Sequence, residues 1–193
     1  LELSNSRFYN NTFANNPAFV WEFGSSDALN DFDSVRSNLF ANNLFYRNDY
    51  AGNYNTLMMV RPGISPDNLF HNNLFFGEKP GQAGLQILKK RHTADTLNRE
   101  LPTRCRNNLD ADPLFVNLQK DCFALSEGSP AINAGRCLTR AVGSGAGREL
   151  KVEDARCFFD GFGIEGERGD VIAVGTTRKL VRVLRSDIDK NVL

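Results

Sequence analysis

The sequence predicts an all-β fold: a parallel β-helix of about four coils over residues 1–135, a Gly/Ser hinge over 136–148, and a small β-barrel or β-roll module over 149–193. Three observations carry this expectation. An Asn-Asn motif framed by aromatic residues recurs, the segments between its copies are short and β-prone, and the composition changes after Gly135.

The repeat is the strongest signal. The chain contains 21 Asn, and 20 of them precede Gly135, so their role belongs to the solenoid segment. Phe8-Tyr9-Asn10-Asn11-Thr12-Phe13 returns as Phe40-Ala41-Asn42-Asn43-Leu44-Phe45 and as Phe70-His71-Asn72-Asn73-Leu74-Phe75, with a weaker copy at Asn107-Asn108-Leu109. Phe8 to Phe40 is 32 residues, Phe40 to Phe70 is 30, and Asn73 to Asn108 is 35. Periods of this size mark stacked arrays. Helical repeats need apolar residues at 3.6 spacing and good helix formers, and these segments have neither.

Asn suits a sharp bend because it tolerates the left-handed αL region. In stacked coils about 4.8 Å apart, Asn11, Asn43, Asn73 and Asn108 are expected to hydrogen-bond as a ladder, with the Phe side chains stacking inside. A third apolar strand per turn falls at 19–23, 57–60 and 85–88. Beyond Gly135, Gly143-Ser144-Gly145-Ala146-Gly147 reads as a hinge. The runs at 150–152, 169–174 and 180–184 read as strands, with a helical turn over 154–159. Such a module would cover the exposed strand edges at a solenoid end. The chain's start and finish within patterned segments suggest a piece of a longer chain or larger assembly.

The Asn-Asn-Leu-Phe rhythm continues into Asp112-Pro113-Leu114-Phe115-Val116, Asp121-Cys122-Phe123-Ala124-Leu125 and Gly128-Ser129-Pro130-Ala131-Ile132-Asn133-Ala134-Gly135. Over residues 1–135 this resembles the closing coils of secreted right-handed parallel β-helix proteins of the pectate-lyase-like superfamily. That superfamily includes polysaccharide lyases, glycoside hydrolases and surface proteins without known activity. The resemblance implies an extracellular or cell-surface location, with a polysaccharide or cell-surface glycan as partner.

Charge and hydropathy exclude other classes. With 23 Lys+Arg against 23 Asp+Glu the net charge is zero, which argues against nucleic-acid binding by phosphate neutralisation. No apolar run approaches the roughly 20 residues of a membrane span. The 41% hydrophobic content, with 15 Phe, suffices for a packed core.

Candidate chemistry is sparser. If the third strands stack, Glu22, Arg61 and Lys89 fall at similar positions, and Arg61, Lys89 and His92 form a basic rim with Lys90 and Arg91. Lyases resembling this fold use a basic side chain to remove the proton beside a uronate carboxylate, and Ca²⁺ or Arg to neutralise the carbanion. The competing reading is cross-coil ion pairing. His71 varies with Tyr9 and Ala41 between copies and is expected on the surface. Tyr50 and Tyr54, in a polar loop, offer a sugar-stacking platform, whereas Trp21 reads as core.

Asp27, Asp31 and Asp33, and the pair Asp110 and Asp112, are hard ligands suited to Ca²⁺, although no cofactor is expected. Neither stretch has EF-hand or nonapeptide spacing, so loop solvation is the expectation. Four cysteines allow three full pairings. Cys105 and Cys122 flank the last coil and are the preferred disulfide, with buried free thiols as the alternative. No Cys-x-x-Cys pair indicates zinc. Asn10-Asn11-Thr12 matches a glycosylation sequon, although the stacked turn explains it structurally.

Two functions follow. The leading one is a non-catalytic structural, adhesive or polysaccharide-binding protein. The alternative is a polysaccharide lyase or glycoside hydrolase with its site partly in upstream coils.

Overall fold

Corners made by single left-handed residues account for the short strands of this chain. Asn5, Asn10 and Asn15 have φ of 53–57°, and Ser37, Asn42 and Arg47 repeat the pattern at 49–57°. Five-residue spacing leaves room for a three-residue strand between corners. Asn72 and Asn107 make the corresponding bends further along.

The computed structural model describes residues 3–18, 20, 22–23, 35–53, 56–60, 67–77, 83–87, 90–120, 122–144, 146–175 and 179–193. They form two units, Leu1–Arg136 and Cys137–Leu193. The first unit begins with β1 (Leu3–Ser4), β2 (Arg7–Tyr9), β3 (Thr12–Ala14) and β4 (Glu22–Phe23). Next come β5 (Val35–Arg36), β6 (Leu39–Ala41), β7 (Leu44–Tyr46) and β8 (Thr56–Val60). Then follow β9 (Leu69–His71), β10 (Leu74–Phe76), β11 (Ala83–Ile87), β12 (Lys90–His92) and helix α1 (Ala94–Glu100). The unit closes with β13 (Cys105–Arg106), β14 (Leu109–Asp110), β15 (Phe115–Asn117) and β16 (Cys122–Leu125).

Three four-stranded sheets run in the orders β13-β9-β6-β2, β14-β10-β7-β3 and β12-β11-β8-β4. All their pairings are parallel except β11 with β12, which is antiparallel. The result is a β-helix-like, all-β unit. Register follows the sequence repeat: Phe8 pairs with Phe40, Phe40 with Phe70, and Phe70 with Cys105.

The two Asn of each pair have separate duties. The first takes the αL corner and the second forms the ladder. Asn43 Oδ1 accepts from the backbone N and Nδ2 of Asn11 at 3.1 and 3.0 Å. Asn43 in turn donates its backbone N and Nδ2 to Asn73 Oδ1, both at 3.0 Å. The second Nδ2 proton goes to Phe8 O at 2.9 Å, so the amide is fully used. Asn73 repeats this with Asn108 and Phe40 O. A second ladder runs from the backbone N of Ser6 through Asn38 to Asn68, and a third joins Asn16 to Asn48.

Inside, the aromatic rings stack in columns. Phe8, Phe40 and Phe70 are spaced 4.8 and 4.9 Å apart, and Phe13, Phe45 and Phe75 are 5.2 and 5.1 Å apart, all nearly parallel. Phe40, Phe45, Phe70 and Phe75 are buried, and burying each contributes on the order of 2–3 kcal/mol. Gly84 of β11 permits this packing, since a Cβ there would lie 2.6 Å from Phe75 Cγ.

Helix α1 covers the open end of the ladder. Thr93 caps it, its Oγ1 accepting from the backbone N of Thr96 at 3.3 Å, and Ala94 and Leu97 enter the core. Asn98 then stands in for one more rung. Its Oδ1 accepts from the backbone N and Nδ2 of Asn108 at 3.0 and 3.1 Å, while its Nδ2 donates to Asn108 O at 2.9 Å. A seven-residue helix is marginal alone, so these bonds and its two buried side chains hold it.

The segment after β14 folds back over the outer side of the β3-β7-β10-β14 sheet. There Leu44, Tyr46 and Leu74 form a second cluster with Phe115, Leu118, Leu125 and Ala131. Phe115 meets Tyr46 edge-on at 5.1 Å and Phe123 at 5.2 Å.

One correction arises here. Cys105 and Cys122 are both free thiols rather than a disulfide. Cys105 occupies the aromatic column below Phe70 and is fully buried, whereas Cys122 sits in an antiparallel hairpin opposite Asn117. Burial pushes the Cys105 thiol up to about 11, so it stays protonated.

The second unit holds a hairpin of β17 (Val171–Val174) and β18 (Lys179–Arg182) and a 3₁₀ turn at Ala155–Cys157. Isolated bridges join Ala141 to Val152, Lys151 to Val192 and Asp187 to Val192. Its small core is Val152, Ala155, Cys157 and Val183. No membrane-length apolar helix occurs among the described residues.

The ladder gives a stability prediction. Replacing Asn43 with Leu removes the acceptor of the Asn11 backbone N–H and the donor to the Phe8 carbonyl, two part-buried hydrogen bonds worth about 1 kcal/mol each. Urea unfolding should show a lower midpoint for this variant and for Asn98→Leu. Midpoints equal to wild type would remove the ladder as a source of stability.

Candidate functional site

On β9, strand alternation sends Phe70 into the core and His71 to the opposite side of the sheet. The expectation of a surface histidine is corrected here, because His71 is only 7% exposed. A segment ending at Arg136 lies across it. Asn72 Nδ2 donates to Ala134 O at 2.8 Å. Asn42 Nδ2 donates to Arg136 O at 3.0 Å, and the Arg136 backbone N donates back to Asn42 Oδ1 at 2.8 Å. Gly135 allows this approach, since a Cβ there would come within 3.3 Å of Asn42 Cγ.

This geometry fixes the state of the imidazole. Arg136 Nη1 lies 2.6 Å from His71 Nδ1, and a guanidinium can only donate. Nδ1 is therefore the acceptor and Nε2 carries the proton. That Nε2–H is buried with no acceptor among the described residues. Burial, then Arg136, then Arg106 lower the imidazole to about 4, so His71 is neutral at pH 7.

Arginines gather on this side of the sheet. Arg106 is the register partner of His71, and its Nε donates to Pro102 O at 2.9 Å. Arg104 precedes inward-facing Cys105. Its Nε and Nη2 are buried without an acceptor among the described residues. Burial lowers Arg104 from its ordinary value, while Cys105 and Asp67 oppose the shift. This side of the sheet thus carries several guanidinium groups, and three buried N–H-bearing atoms on it have no hydrogen-bond partner among the described residues. Such donors are costly in isolation and are suited to carboxylate or sulfate oxygens.

Only some of the residues expected to carry chemistry are among the described ones. Arg61, Lys89, Tyr54, Trp21, Asp27, Asp31 and Asp33 lie outside the described residues. His92 is buried on β12, opposite Leu85, with Nδ1 unbonded and 3.7 Å from Glu100 Oε2. Burial lowers His92 from its ordinary value, with Lys90 adding to the shift and Glu100 opposing it. Lys90 itself pairs with Glu100. His92 and His71 belong to different sheets. Tyr50 is 53% exposed in the turn after β7.

Of the aspartates suited to Ca²⁺, Asp110 and Asp112 have structural partners. Asp110 Oδ2 accepts from the Ala94 backbone N at 2.7 Å at the start of α1, and Asp112 Oδ1 accepts from Leu114 N at 2.9 Å. Burial raises Asp110, against the backbone N–H groups of Ala94 and Asp95. No cluster of three or more His, Cys, Asp or Glu occurs among the described residues.

His71 predicts a pH dependence. Its value of about 4 in the folded chain lies below the roughly 6.5 of an unfolded histidine. The unfolded chain therefore binds more protons between those values, and stability falls as pH drops from about 6.5 towards 4. Melting temperatures across this window should decline less in His71→Gln, with the same-sign shift of His92 common to both proteins. Identical slopes would show that His71 does not contribute.

Compared with known proteins, the chain matches no family model, no curated protein and no solved structure.

Proposed function

We propose that this chain is part of an extracellular, right-handed parallel β-helix of about four coils that binds acidic polysaccharide in a structural or adhesive role. A small β-rich unit follows from residue 137. The observation carrying this reading is the arginine-lined outer face of the β2-β6-β9-β13 sheet. Arg106 and Arg136 stand beside a histidine held neutral, Arg104 lies two residues before Arg106, and Arg104 and His71 keep buried N–H groups without acceptors among the described residues. A carboxylate or sulfate offers acceptor oxygens in the geometry that guanidinium groups favour. Tyr50 adds an exposed ring of the kind that stacks on sugars.

Binding is favoured over lyase or hydrolase chemistry by the same histidine. A lyase needs a vacant basic atom beside the charge-neutralising group. His71 Nδ1 is engaged by Arg136, and a group titrating at about 4 is a weak proton acceptor at neutral pH.

The test pairs binding with turnover. The chain should retain polygalacturonate or alginate, but not a neutral glucan, on an affinity gel, with and without Ca²⁺, and added salt should weaken retention. Arg106→Ala with Arg136→Ala should cost about tenfold in affinity, equivalent to about 1.4 kcal/mol. Absence of binding to any polyanion would overturn the proposal. Ultraviolet absorbance from unsaturated products, or new reducing ends, would overturn the non-catalytic part.

A further inference from the structure

We propose that Asn10 is an acceptor for an N-linked glycan, an inference that rests on the extracytoplasmic reading above. The sequon Asn10-Asn11-Thr12 coincides with one corner of the fold, and the geometry separates its residues by task. Asn11 is the ladder residue, tied to Asn43 through its backbone N and Nδ2. Asn10 is the αL residue at φ 57°, pointing away from the ladder and exposed. Its Oδ1 accepts from Asn42 Nδ2 at 3.2 Å, and its own Nδ2 donates no hydrogen bond. Thr12 is exposed as well, and its hydroxyl makes no hydrogen bond.

Comparison with equivalent corners shows what sets Asn10 apart. Asn42 and Asn72 occupy the same place, but Asn42 Nδ2 is bonded to Asn10 Oδ1 and Arg136 O, and Asn72 Nδ2 to Ala134 O. Their sequences continue with Leu44 and Leu74, both buried, where Asn10 has Thr12. Asn5, Asn15 and Asn107 also leave Nδ2 without a hydrogen bond, but Arg7, Pro17 and Leu109 follow two residues on, so among these corners Asn10 alone joins a free amide nitrogen to an exposed hydroxyl.

The transfer is compatible with the fold. Asn10 Nδ2 attacks C1 of a sugar carried on a lipid diphosphate. The C–N bond forms, the C1–O bond breaks, the electron pair leaves on the diphosphate, and one Nδ2 proton passes to a transferase base. Oδ1 is retained in the product, so the bond from Asn42 survives and the glycan projects outward from the corner.

The full chain, behind a cleavable secretory signal, should be translated in the presence of microsomes. Protease-protected chain should show a one-glycan mobility shift that a peptide amidase reverses, leaving Asp at position 10. Asn10→Gln and Thr12→Ala should abolish the shift, and Thr12→Ser should keep it. Protected chain without a shift, or a shift surviving Asn10→Gln, would overturn the proposal. Because microsomes supply the compartment, a failure there counts against Asn10 itself and leaves the location of the native protein a separate matter.

Discussion

The side-chain amide of the ladder asparagines is the interaction on which the first unit depends. Strands of two to five residues offer few backbone hydrogen bonds each, and every corner between them turns peptide groups away from the sheets. Asn43 and Asn73 satisfy those groups with one side chain apiece: the oxygen takes two protons from the rung before, and the nitrogen serves both the next rung and a carbonyl behind it. No other side chain pairs two donors and an acceptor on so short a stem. An aliphatic residue would fill the space and leave polar groups buried without partners. The preceding αL residue makes the ladder reachable by turning the chain at the right point.

Packing follows from this spacing. Once the rungs are set about 4.8 Å apart, the Phe rings have little choice but to stack nearly parallel, and the columns form the core. The same regularity creates a liability, since an open rung presents unpaired donors and acceptors to any other strand. Helix α1 answers this at one end with Asn98, which reproduces the ladder's hydrogen bonds from a different backbone geometry.

The outer faces are where the fold acquires chemistry. A solenoid of this kind has side chains on both sides of every strand, and the segment from 112 to 136 covers two of the outward surfaces. Over one it makes an apolar cluster around Tyr46 and Phe115. Over the other it brings Arg136 onto His71 and fixes the imidazole as a neutral N–H donor. Arg104 and Arg106 flank Cys105 on the same strand edge, so the burial of a small thiol in the aromatic column coincides with two arginines outside it. Local positive charge therefore coexists with a net charge of zero.

The parallel architecture, its register and its ladder were legible because each depends on one recurring distance in the chain. Phe8, Phe40 and Phe70 align in sequence and in space for the same reason: identical rungs repeat the same backbone path. The division of labour within each Asn-Asn pair was less visible, because either Asn can adopt αL and only the coordinates show which amide points into the stack. Four features lay beyond the repeat: Asn98 on a helix, Cys105 in a Phe column, Arg136 against Asn42, and the covered His71. Asn42 and Arg136 are 94 residues apart, and no periodicity links them. Sequence determined the repeating scaffold, since stacking interactions recur with the chain's own period. Tertiary structure alone decided the cap, the free thiol and the charged outer face, because those depend on non-repeating segments meeting the scaffold.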